Sequence, residues 1–118
     1  MTLPTHVRLL SQRIDVREEG ELHMEAHEDG AEPHQHRVYG VYDEEKQVIT
    51  LDAAMGFERQ RETFLHENLH AMCAVAQLDG LSAMEGFDEH WVSSLSPVML
   101  SWMRDNPAVM KFLMETQP

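Results

Sequence analysis

Residues 62–71 read Glu-Thr-Phe-Leu-His-Glu-Asn-Leu-His-Ala and place His66, Glu67 and His70 in a His-Glu-x-x-His pattern. On a helix, positions four apart project from one face a turn apart, so His66 and His70 can close on a single small cation. Glu67 is angularly offset and can reach a water at that cation without ligating it. Two imidazoles, a general base and an open water position are the working parts of a zinc hydrolase. The pattern also constrains the fold. Phe64, Leu65, Leu69 and Met72 flank the histidines, so the helix is expected to lie on a core with both imidazoles inward, where polar groups need a partner.

The flanking sequence fits one domain, residues 1–118, of mixed α+β class, with strand patterns preceding helical ones. Residues 6–16 read as a first strand. Residues 22–35, with His23, His27 and His34 among acids and Pro33, show no clear period and read as an exposed loop or irregular strand, and His36 follows directly. Residues 37–43 and 47–52 form a hairpin pattern around Asp43-Glu44-Glu45-Lys46. The motif helix is expected from Gly56, as N-cap, to about Leu78, with Asp79-Gly80 as its stop. A connector follows, in which Ser82 and Glu85 have capping-box spacing. A second long helix, residues 89–104, is capped by Asp88 and blemished by Pro97, where a kink or break is expected. Asn106-Pro107 starts a short last helix that buries Val109, Phe112 and Leu113.

A catalytic zinc ordinarily takes three protein ligands. The third must reach back from the second long helix, and Glu89, in its first turn, is the leading candidate. His90, Asp88 and Glu85 are weaker alternatives, and an acid at a helix N-terminus also has a plain dipolar explanation. Cys73, one turn past His70, reads as a small core residue, and the nine methionines, Met72, Met99, Met103 and Met110 among them, as adaptable core filling.

Composition narrows the partners. Twenty-one acids against nine bases give a net charge of −12, which repels phosphate and disfavours nucleic acid and anionic membrane. One cysteine allows no internal disulfide. No signal peptide and no membrane-spanning run is apparent, so a cytoplasmic location is expected.

The motif with its downstream Glu resembles the minimal zincins of the gluzincin type. Tyr39-Gly40-Val41-Tyr42-Asp43, Val48-Ile49-Thr50-Leu51-Asp52 and Glu58-Arg59-Gln60-Arg61-Glu62-Thr63 lead into it, and Asp88-Glu89-His90-Trp91-Val92 and Arg104-Asp105-Asn106-Pro107 follow. Together they resemble small zincin-like proteins of bacteriophages and prophages, loosely related to the antirepressor metallopeptidases of the ImmA/IrrE type. The resemblance spans roughly residues 37–113. It implies a small antiparallel sheet of about three strands packed on the motif helix and a second, antiparallel helix, with one Zn2+ per chain held by His66, His70 and Glu89 and Glu67 as general base. Many gluzincins carry an Asp a turn after the third ligand. Here Ser93 and Ser94 occupy that region, so support for a ligating His must come from elsewhere, Asp52 being one candidate.

The expected activity is hydrolysis of peptide bonds in a protein or peptide substrate, inside a bacterial or phage-infected cell. Strand 47–52, if an exposed edge, would pair with the extended substrate. Tyr39, Tyr42, His36 and His90 are candidate oxyanion donors. The alternative is a non-catalytic, zinc-stabilised protein-interaction domain, in which the metal joins two helices. Retention of Glu67 favours the enzyme, since a structural site needs no base.

Overall fold

A computed structural model describes residues 3–26, 34–77 and 87–115, with the side chains of residues 24–26, 34–36, 87–90 and 92 outside the described set. Six strands and three helices follow in order: β1 (His6–Leu9), β2 (Gln12–Glu19), β3 (Leu22–Ala26), β4 (His34–Val38), β5 (Gly40–Asp43), β6 (Val48–Asp52), α1 (Phe57–Val75), α2 (Phe87–Asp105) and α3 (Pro107–Met114). The class is α+β, as expected. The main sheet has four strands rather than three, in the order β1-β2-β6-β5, and β3-β4 form a separate two-stranded sheet.

Several differences have local causes. The expected strand 6–16 is a hairpin, because Leu10 takes a left-handed backbone (φ 56°) and returns the chain so that Val7 pairs with Ile14. No glycine marks that reversal in the sequence. The segment 22–35, expected as a loop or irregular strand, holds the regular strand β3 and the start of its partner β4, with Leu22 opposite Val38 and Ala26 opposite His34. The strand expected at 37–43 changes sheets at Tyr39, β4 pairing with β3 and β5 with β6.

Strand β6 runs parallel to β2 and antiparallel to β5, which corrects its expected edge position. An interior strand must bury alternate side chains, and Ile49 and Leu51 are fully buried. The edge beside α1 is therefore β5. Its turn follows the expected hairpin, with the Lys46 amide donating to Asp43 Oδ1 at 3.1 Å.

Helix α1 starts after Gly56, whose extended backbone (φ −68°, ψ 164°) suits an N-cap. It ends at Val75, earlier than expected, where Gln77 takes the left-handed position (φ 57°) assigned to Gly80. Asp79, Gly80, Ser82 and Glu85 lie outside the described residues. Helix α2 starts at Phe87, so Asp88 falls within its first turn rather than capping it, and the helix runs unbroken through the exposed Pro97. Asn106 and Pro107 open α3 as expected, with Val109 and Phe112 buried.

The core lies between the sheet and the helices: Val7, Leu9, Ile14, Ile49 and Leu51 from the strands meet Phe64, Met72, Leu95, Trp102 and Phe112 from the helices. Met72 is buried, Met99, Met110 and Cys73 are partly buried against this core, and Met103 is exposed. Two asparagines bind the layers. Asn68 Nδ2 donates to the Phe64 carbonyl at 2.8 Å, and its Oδ1 accepts from Trp102 Nε1 at 3.1 Å, joining α1 to α2. Asn106 accepts from the Arg8 amide at 2.7 Å and donates to the carbonyls of Arg8 and Trp102, joining β1 to the α2–α3 corner.

Candidate metal-binding and catalytic site

Helix α1 turns Arg61, Phe64, Glu67, Asn68, Ala71 and Met72 into the protein. His66 and His70 stand one position off that stripe and are exposed, which corrects the expectation that they point inward. The buried member of the motif is Glu67, at 7% exposure. Helical geometry explains this: with 3.6 residues per turn, a stripe centred on 64, 68 and 71 takes 67 along at its margin and leaves 70 and 66 beyond that margin, on the solvent side of the helix.

The imidazoles converge there. His66 Nε2 and His70 Nε2 are 3.0 Å apart and the rings meet edge to face, with centroids 4.7 Å apart. Both nitrogens can contact one zinc ion at the usual distance of about 2.0–2.1 Å. The same approach is a hydrogen bond when one ring carries the Nε2 proton and the other accepts it. Ligand atoms of His66, Glu67 and His70 all lie within 4.8 Å of one another, a donor set that could hold a metal ion. Glu89 lies in the first turn of α2, and its side chain, with those of Asp88 and His90, is outside the described residues. The third-ligand expectation therefore rests on sequence.

Burial pushes the Glu67 carboxyl above its ordinary range. The neighbouring His70 and His66 and a hydrogen bond from the Tyr42 backbone amide pull it back in part. That amide belongs to β5. The Asp52 amide donates to the Tyr39 carbonyl at 2.9 Å, so Tyr39 and, two residues on, Val41 turn their backbone groups toward β6. Gly40 and Tyr42 turn theirs away from it. The open side of the edge thus offers the Gly40 amide and carbonyl and the Tyr42 carbonyl, beside the Glu67 carboxylate.

Gly40 makes this proximity possible. A Cβ at that position would stand 2.6 Å from Thr63 Cγ2, 3.1 Å from Leu51 Cδ2 and 3.3 Å from Glu67 Cγ. Only a glycine lets strand and helix approach this closely. Along the seam run two clefts that meet at Gly40 and Glu67. One, about 310 Å³, is lined by Val41, Tyr42, Glu44, His70 and Ala74, and the other, about 300 Å³, by Tyr39, Glu62, Thr63 and His66.

The two tyrosines expected as donors each reach a cleft. Tyr42 is half-buried, and burial, then Glu44 and Asp43, push its phenol upward. Tyr39 is 40% exposed, with the guanidinium carbons of Arg59 and Arg37 4.5 and 5.5 Å from its ring centre. The side chain of His36 lies outside the described residues.

Asp52 does not serve the histidines. Its carboxylate accepts from Arg37 Nε at 2.9 Å, the Ala54 amide at 2.8 Å and the Leu22 amide at 3.4 Å, so it ties β6 to the β3–β4 sheet. Two residues that hold the site in place, Asn68 and Gly40, were given no such role by sequence. Asn68 carries a legible signal, as an amide on the apolar stripe of an amphipathic helix.

Fold and site define an α+β protein that carries a His-Glu-x-x-His helix against a sheet edge. No family model, curated protein or solved structure matches the chain. Among the described residues no helix is long and apolar enough to cross a membrane.

Proposed function

We propose that this protein is a zinc-dependent peptidase of the minimal zincin type, acting on extended peptide segments in the cytoplasm. The observation that carries the reading is the Glu67 carboxylate. It is buried, pairs with no Lys or Arg among the described residues, and lies between two accessible, converging imidazoles and the open backbone groups of an edge strand.

His66 and His70, with Glu89 as third ligand, would hold the ion. Zinc bound there supplies Lewis acidity toward the scissile carbonyl and makes water acidic enough to lose a proton near neutral pH. The chain's own residues do the rest. Gly40 and the Tyr42 carbonyl pair with the substrate backbone and hold it extended across the seam, as an added strand. Glu67 takes the proton from the attacking water and passes it to the leaving amine. Its raised proton affinity suits that task better than an ordinary surface glutamate would. The Tyr42 amide fixes the carboxylate toward the cleft.

The exposure of both histidines also suits a site that only binds zinc and a partner. Two measurements separate the readings. Metal content by mass spectrometry after incubation with zinc should give one ion per chain, lost in His66→Ala. A proteome-derived peptide library should be cut by the wild type and left intact by Glu67→Gln at unchanged zinc content. Zinc binding without any cutting would leave the interaction domain as the better reading.

A further inference from the structure

The two clefts beside Glu67 differ in depth and charge. On the His70 side the 310 Å³ cleft runs on into a second hollow of about 140 Å³, with which it shares Tyr42, Glu44 and Ala74. Gln12, Gln47 and Val75 complete that hollow, and Gln47 Nε2 donates to Gln12 Oε1 at 3.1 Å across its far end. The walls thus combine apolar surface, from Ala74, Val75 and Tyr42, with a carboxylate and two amide side chains. Among the described residues no Lys or Arg lines either space. The raised Tyr42 phenol, due first to burial and then to Glu44 and Asp43, reports a negative field there. The His66 side has the opposite mixture: Glu62 lines the cleft, while Arg59 and Arg37 stack on Tyr39.

We infer that the His70-side hollow is a side-chain subsite for a lysine or arginine of the substrate, with Glu44 as the residue that selects it. This rests on the peptidase reading. A long aliphatic stem lies along Tyr42 and Ala74, as cationic side chains do on apolar surface, and the cationic head meets Glu44 with Gln12 Oε1 as a further acceptor. A neutral or acidic side chain of that length would strand its end against Glu44. The net charge of −12 draws basic peptides to the same place and makes the encounter salt-sensitive. The mixed charges around Tyr39 predict no such selection on the His66 side.

The test is a cleavage profile on a proteome-derived peptide library prepared by cutting after glutamate, so that Lys and Arg remain internal. With zinc-loaded protein, Lys and Arg should be enriched roughly fivefold at one fixed position on one side of the cut, the size a partly screened ion pair supports. Glu44→Gln should flatten that enrichment, and Glu44→Lys should replace it with Asp, the acid that this library keeps internal. Glu44 is an exposed turn residue, so circular dichroism should show both variants folded. Cutting without a fixed basic position, or a profile unchanged in Glu44→Lys, overturns the subsite and leaves the peptidase standing. No cutting beyond the Glu67→Gln background overturns the peptidase and the subsite with it.

Discussion

Asp52 and Glu67 are both carboxylates withdrawn from solvent, at 0% and 7% exposure, and their surroundings drive them in opposite directions. Around Asp52, the Arg37 guanidinium and the amides of Ala54 and Leu22 satisfy the charge. The hydrogen bond from Arg37 is the main cause that holds its carboxyl below the ordinary range, against the effect of burial. Around Glu67 burial dominates, no Lys or Arg among the described residues pairs with it, and two imidazoles and one backbone amide compensate only partly. A saturated carboxylate is a bracket between strands. An unsaturated one, open to a cleft, keeps an appetite for protons, which is what a base needs.

The sharpest way to break this contrast is to neutralise each in turn. Glu67→Gln should lower peptide cleavage by about 10²–10⁴-fold, the usual worth of a positioned general base, and shift the melting temperature by no more than about 2 °C. Asp52→Ala should do the reverse. It leaves Arg37 and two amides without their acceptor, and the melting temperature should fall on the order of 10 °C while turnover per folded molecule persists. Thermal melts and cleavage of the same peptide library read both. A cleavage loss in Asp52→Ala that exceeds its loss of folded protein would show that the two carboxylates are not separate devices.

Acidity sharpens the contrast without mutation. The folded pKa of Asp52 lies below its ordinary 3.8, so its contribution is present above that value and is lost as the pH falls through the folded pKa. Glu67 has the opposite sign. Its folded pKa lies above the ordinary 4.5, so the unfolded chain ionises first as pH rises, and the group disfavours folding above that window. In chelator-treated protein, Glu67→Gln should therefore gain stability relative to wild type as pH rises from 4 toward 7. Asp52→Asn should lose it over the more acidic range that ends near 4. Urea unfolding across that pH series checks both slopes, and parallel slopes would refute the assignment.

Gly40→Ala has a smaller, mixed effect, because it acts on the seam that gives Glu67 its surroundings. The added methyl meets Thr63 and Leu51 side chains inside ordinary contact distance. Overpacking of this kind costs about 1–3 kcal/mol, and relief comes by moving β5 away from α1. Cleavage should fall along with stability, since the Tyr42 amide and the open edge move with the strand.

How much of this was legible in the sequence follows from the range of each signal. The His-Glu-x-x-His spacing, the Asp43–Lys46 turn and the Asn106-Pro107 helix start are local, and each is where it was expected. Strand β3, Leu-His-Met-Glu-Ala, alternates over only five positions, and its partner β4, His-Gln-His-Arg-Val, has a single apolar residue at its end, so the pair is too short and too one-sided to stand out. The Leu10 reversal lacks the glycine that usually marks a left-handed turn. Parallel pairing of β2 with β6 joins residues more than thirty positions apart, as with Val16 and Ile49, beyond any window of periodicity. Flanking apolar residues suggested inward histidines. The angular count around Phe64, Asn68 and Ala71 turns Glu67 inward instead, and that difference changes the site from two buried imidazoles to one buried carboxylate beside two exposed imidazoles.

Arg61 gives the finest test of the saturation argument, because it is a buried charge on the same helix with mixed partners. Its Nε donates to the Phe112 carbonyl at 3.0 Å, Nη1 donates to Glu58 at 2.8 Å, and the guanidinium lies 4.0 Å over the Phe57 ring. Only the carbonyl and the ring are shielded, since the Glu58 side chain is 66% exposed. Water screens that ion pair and competes for it, so the anchoring of α3 onto α1 depends on the carbonyl and the ring rather than on the opposite charge. Glu58→Ala should therefore cost no more than about 0.5 kcal/mol, the range of an exposed helical pair, and should lose what little effect it has at high salt. Arg61→Met, which keeps the stem and removes the donors, should cost several times more, because the buried Phe112 carbonyl then has no partner. Equal costs for the two variants would mean that opposite charge, not satisfied hydrogen bonding, holds buried groups in this fold, and the reading of Asp52 as a bracket would have to be rebuilt on its charge alone.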